Sequence, residues 1–146
     1  MTSPSRLPPP ELAETRTQDH LKAAFSRDAA AAQLWAAFGR IAEIEGQPEA
    51  ARLFREMAES EALGAQGHLD LLLRVGEPLG GFSAGPTPDN LRAAAALQAE
   101  QASEGLPEMA RTARAEGFPD IASWFESVAA ARAVHAARLD AARSPR

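Results

Sequence analysis

There is no cysteine in this 146-residue chain, which excludes disulfides, thiol catalysis, iron–sulfur clusters and any cysteine-ligated zinc or iron module. Redox chemistry, if present, needs ligands from Asp, Glu and His. Long apolar runs are missing as well: the N-terminal MTSPSRLPPPELAE lacks the hydrophobic core of a signal peptide, and no later segment approaches a membrane span. The expected location is the cytoplasm, with no membrane partner. Nor are there blocks of one charge; the net charge of −5 is spread along the chain and offers no basic surface to nucleic acid. Phosphate loops, nucleophile–base arrangements, paired acids for glycoside chemistry and Gly-rich nucleotide fingerprints do not occur. What is present, 45% hydrophobic and 24% charged residues, is the composition of one ordinary globular domain.

Residues 1–14, rich in Pro and Ser, read as a disordered arm, residues 15–142 as the folded domain and residues 143–146 as a tail. Thr15 and Gln18 have capping-box spacing and start a helix that runs to Glu45 before Gly46. Its inward stripe is Leu21, Ala24, Phe25, Asp28, Ala31, Trp35 and Ala42. A second helix opens at Pro48, tolerated in a first turn, and continues through Leu53, Phe54, Met57, Glu61, Gly64, His68 and Leu72. The Gly- and Pro-dense GEPLGGFSAGP is a connection. Thr87 and Pro88 supply an N-cap and a first-turn proline for a third helix through Leu91, Ala94, Gln98, Gln101 and Met109 to Glu116. Gly117 and Pro119 turn the chain into a fourth. No strand pattern competes, and the fold class read from this order is an all-α four-helix bundle.

The fourth helix carries Arg132 and His135 on the same apolar stripe as Ile121, Phe125, Val128 and Leu139, so a guanidinium is predicted to point inward. Trp35 and Trp124 read as packing residues. An internal repeat gives the charge a context: EGQPEAARLFREMAESEALG at 45–64 parallels EGFPDIASWFESVAAARAVH at 116–135, so the chain is two copies of one helical hairpin. Glu61 in the first copy matches Arg132 in the second, and Gly64 matches His135. Each copy keeps half of a Glu-x-x-His pair. Two such pairs on facing helices, with a further carboxylate from each remaining helix, are the di-metal carboxylate geometry of ferritin-like bundles.

Over nearly all of 21–139 the chain resembles the rubrerythrins, ferritin-like di-iron peroxide-reducing proteins. The motifs that carry the likeness are LKAAFSRDAAAAQLWAAFGRIAEIEG, FREMAESEALGAQGHLDLL, NLRAAAALQAEQASEGLPEMARTARAEGF and ASWFESVAAARAVHAARL. The resemblance implies a ferritin-like fold and assigns the metal-ligand positions. The first-helix glutamate falls on Asp28, the second-helix Glu-x-x-His on Glu61 and Gly64, the third-helix glutamates on Gln98 and Gln101, and the fourth-helix Glu-x-x-His on Arg132 and His135. Second-sphere tyrosines fall on Trp35 and Leu106, which cannot make the same phenolic hydrogen bonds. The rubredoxin-like module of longer rubrerythrins needs cysteines and is not expected here.

Several carboxylates can share a small cavity only while divalent cations offset their repulsion. Here two are amides and a third is Arg132, a permanent cation able to engage Asp28 and Glu61, with Gln98 and Gln101 completing a polar network. The preferred expectation is a metal-free binding or interaction protein with an Arg–carboxylate core and no cofactor. The alternative is an oxidoreductase with a relic site of Asp28, Glu61, His68 and His135, holding one iron, manganese or zinc ion and reducing peroxide. A third is a small organic ligand among Trp35, Gly64 and Leu106. His68 and His135 also read as hydrogen-bonded structural residues. A second helix spanning 48–74 is roughly 40 Å long at 1.5 Å per residue, and the link at 75–87 would have to be almost fully extended to return along it. That favours a homodimer, swapped or unswapped, as the only partner the sequence names.

Overall fold

Thr15 sits in the extended region (φ −99°, ψ 159°), and its Oγ1 accepts a hydrogen bond from Gln18 N at 3.1 Å, so one orphan donor of the first turn is satisfied. The Gln18 side chain reaches back one residue further than a capping box does: its Oε1 accepts from Glu14 N at 2.9 Å, and Glu14 turns left-handed with φ +60°. This cap starts α1, Arg16–Ile44. The computed structural model describes residues 11–75 and 84–143, and the chain divides after Ser83 into two helical units.

In the first unit α1 is closed by Gly46 at φ +71°, with Gln47 N donating to Ala42 O at 2.8 Å and Gly46 N to Glu43 O at 3.0 Å. That is a Schellman end, and Gly46 supplies the left-handed residue it needs. Pro48 then begins α2, Pro48–Leu72, followed by a 3₁₀ turn, Leu73–Val75. The second unit repeats the device. Gly117 lies at φ +89°, Phe118 N donates to Ala113 O at 2.8 Å and Gly117 N to Arg114 O at 3.1 Å, and Pro119 opens the last helix. Both turns even carry a cross-helix ion pair, with the signs exchanged: Arg55 with Glu43 in the first, Arg114 with Glu126 in the second.

The second unit comprises α3, Thr87–Glu100, a π-helical turn, Gln101–Gly105, α4, Leu106–Ala115, and α5, Pro119–Arg143. Two features differ from expectation. Thr87 already lies within the helix, and no side chain caps it from Pro86. Asn90 serves instead: its Oδ1 accepts from Gly85 N and its Nδ2 donates to Gly85 O, both at 2.8 Å, through the two separate atoms of one carboxamide. The third helix is also interrupted by the π turn, where Leu106 N bonds Gln101 O, five residues back.

Packing within each unit runs through small residues. In the first, α1 meets α2 with Ala32, Gly39 and Ala42 buried on one side and Ala51, Ala65 and Leu72 on the other. In the second, Ala122, Ala129 and Ala136 at seven-residue spacing are the buried residues of α5, beside Ala95, Ala110 and Ala113. Alanine and glycine let the two backbones approach closely; a Cβ built on Gly39 would stand 3.5 Å from Ala51 O. The inward stripe read from the bulky residues is therefore displaced. Ile121 is 47% exposed, and Trp124, expected to pack, is 65% exposed, because α5 contacts its neighbours along the alanine ridge beside them. Trp35 does pack, its ring 5.5 Å from Phe38 and stacked 6.4 Å from Phe54.

Among the described residues no helix is long and apolar enough to cross a membrane. Most of the N-terminal arm (1–10), most of the link (76–83) and residues 144–146 of the tail lie outside the described residues. One helix position is open to improvement. A Cβ on Gly67 of α2 would meet nothing within 4 Å, so Gly67→Ala is expected to stabilise the protein by about 0.5–1 kcal/mol, read as a rise of a few degrees in thermal unfolding.

Candidate functional site

α1 and α2 bring the first set of candidates together. His68 Nε2 donates to Asp28 Oδ2 at 2.9 Å, and both side chains are largely buried. The glycine at 64 is part of that contact: a Cβ there would stand 3.1 Å from the same Asp28 oxygen. Space that a histidine would occupy is filled by the Asp28 carboxylate on its way to His68. Glu61, one turn before Gly64 and two before His68 on α2, accepts a hydrogen bond from Trp35 Nε1 at 3.4 Å. Trp35 is thus a donor from its indole nitrogen at a position where a phenol was expected. Both surviving carboxylates are engaged inside their own hairpin.

The second hairpin gathers Gln98 from α3 and Arg132 and His135 from α5. His135 Nδ1 donates to Gln98 Oε1 at 3.3 Å. Arg132 Nε is buried and has no hydrogen-bond partner among the described residues. Asp28 and Glu61, the partners expected for Arg132 from the sequence, belong to the other unit, where His68 and Trp35 hold them. Gln101 opens the π turn and Leu106 opens α4, both half-buried. A pocket of about 490 Å³ is lined by Ala94, Gln98, Arg132, His135, Arg138 and Leu139, with no carboxylate among them.

Two participants were missed by sequence reasoning. Arg138 lies three residues beyond His135 and lines the same pocket. The π turn also had a signal. Beyond it the repeat pairs Ala42 with Ala113 and Ala51 with Ala122; ahead of it the pairing slips by one residue, to Leu21 with Leu91 and Asp28 with Gln98. A ring closed five residues back instead of four absorbs that one residue and keeps Gln98 at the position equivalent to Asp28.

These residues do not fit a di-iron centre. Such a centre needs carboxylates from all four helices and two histidines; here two carboxylate positions are neutral amides, a third is a guanidinium with a buried N–H that has no partner among the described residues, and one histidine position is a glycine whose space Asp28 fills. Among the described residues no three His, Asp or Glu side chains are grouped to share an ion.

Comparison with known proteins agrees with the helical architecture. The Rubrerythrin family profile matches residues 19–143. Rubrerythrin of Porphyromonas gingivalis is 34% identical over 128 residues, 85% of this chain and 64% of that protein. Rubrerythrin of Nitratidesulfovibrio vulgaris is 35% identical over 136 residues, 89% of this chain and 71% of the relative. Rubrerythrin-1 of Clostridium acetobutylicum is 29% identical over 135 residues, covering 87% and 69%. The chain thus spans about two thirds of the length of the curated relatives it matches.

Proposed function

This chain belongs to the rubrerythrin family, and we propose that it is a metal-free member of it, a binding protein that has exchanged the di-iron centre for a polar core. Arg132 is the observation that carries this reading. A guanidinium stays protonated at any physiological pH. A divalent ion placed about 4 Å from it would be repelled by about 8 kcal/mol at an effective dielectric constant of about 20. Gln98 and Gln101 add no charge to offset that. The competing reading is a single iron, manganese or zinc ion on Asp28, Glu61, His68 and His135 with slow peroxide turnover; in its favour, Asp28 and His68 already touch. Elemental analysis of protein produced with iron supplied separates the two. The metal-free reading expects well under one iron, manganese or zinc per chain, and stoichiometric metal removes it.

The protein works as a cytoplasmic homodimer in which hairpins of two copies complete each other's bundles. Supporting this, each hairpin leaves large apolar side chains exposed: Leu34, Ile41, Leu53 and Leu63 in the first, Met109, Trp124 and Val134 in the second. Sedimentation at micromolar concentration is expected to give twice the 15.5 kDa chain mass. A single-chain mass would rule the dimer out.

A further inference from the structure

The second hairpin holds positive charge that nothing in it matches. Of its described arginines, Arg92 pairs with Asp89 at 3.0 Å, Arg111 with Glu108 at 2.5 Å, Arg114 with Glu126 at 2.6 Å and Arg143 with Asp140 at 3.0 Å. Arg132 and Arg138 make no ion pair among the described residues of this hairpin, and both line a pocket that also holds His135 and Gln98. A guanidinium with a buried, unpartnered Nε is an unmet donor, and a planar fork of N–H groups is matched best by the two oxygens of a carboxylate. The Gln98 oxygen is taken by His135, which leaves the N–H groups of that carboxamide as further donors. Arg132, Arg138 and the Gln98 carboxamide can therefore all donate, and no residue lining the cavity is an anion. Its remaining walls, Ala94 and Leu139, are apolar, and about 490 Å³ is more room than a bare inorganic ion needs.

We propose that this pocket binds a small organic anion, a carboxylate carrying a short aliphatic body, with its head on Arg132 and Arg138 and its body along Ala94 and Leu139. The inference rests on the metal-free reading, since a metal centre at these positions would fill the same space. Donor chemistry of this kind also attracts inorganic phosphate, and the two ligands differ in what the apolar walls can contribute.

The test is calorimetric titration of the full-length protein with butyrate and, separately, with inorganic phosphate, with iron measured on the same sample. Iron-free wild type is expected to saturate with one butyrate per chain. Arg132→Met is expected to weaken binding at least tenfold and Arg138→Met severalfold, whereas Arg111→Met, at an ion pair outside the pocket, leaves it unchanged. Arg138 is exposed, so its variant keeps the fold and decides the matter even where Arg132→Met loses helicity by circular dichroism. Absence of saturable butyrate binding by iron-free protein, or binding that survives both arginine substitutions, overturns the site. Saturation by phosphate alone overturns the assignment to a carboxylate. Stoichiometric iron in the sample overturns the metal-free reading itself and is read independently of either titration.

Discussion

Replacing Gly64, Gln98, Gln101 and Arg132 together (Gly64→His, Gln98→Glu, Gln101→Glu, Arg132→Glu) is expected to produce a protein that takes up stoichiometric iron, where the wild type takes up none. Electrostatics comes before geometry at this site. The four changes remove one cation and add three carboxylates and an imidazole, restoring the donor set that hard divalent ions select. Geometry then has to yield in one place. A side chain at 64 meets the Asp28 carboxylate at about the contact distance already noted, 3.1 Å, so Asp28 must leave His68 and turn toward the metal. Without iron, the reverted protein carries a knot of uncompensated carboxylates and should be less stable than wild type. Ferrous iron at a hundredfold excess over its Kd would return about 2.7 kcal/mol. Thermal unfolding with and without iron therefore moves in the variant and stays fixed in the wild type.

Ala51→Leu and Ala122→Leu are expected to destabilise the chain by about 1–3 kcal/mol each, among the larger effects of any single conservative substitution here. Both alanines have 0% exposure and occupy the same place in the two hairpins, at the first turn after the proline. Two or three added methylenes at a contact built from alanine and glycine push one helix off its partner. Ala62→Leu and Ala133→Leu, matched positions on the exposed sides of α2 and α5, should change stability by no more than about 0.5 kcal/mol. Urea unfolding of the four variants measures the contrast. Equal effects at buried and exposed positions would mean that the small-residue ridges do not set the helix spacing.

Much of the architecture was legible in the sequence because the signals are local and repeated. Thr15 and Gln18, Gly46 with Pro48, and Gly117 with Pro119 fix where the helices begin and turn through backbone conformations that few other residues allow. The repeat placed Glu61 against Arg132 and Gly64 against His135 without any relative to compare. What was not legible depended on size and not on polarity. The stripe drawn through the bulky residues placed Ile121 inside, whereas the helices meet along Ala122, Ala129 and Ala136, which a hydrophobic pattern ranks low, with Phe125 packed beside them. The partners of the polar residues were likewise set by reach: Asp28 finds His68 because residue 64 has no side chain, and Glu61 finds the Trp35 indole. Arg132 Nε is left without a partner in its own hairpin, and nothing in its own helix announces that.

Arg132 is expected to close this site to metal. Anaerobic calorimetric titration of ferrous iron into the wild-type protein tests that most directly. No saturable heat is expected at millimolar iron, because the ion would meet a guanidinium and two neutral amides where bridging carboxylates should stand. Saturation at one or two ions per chain would contradict it.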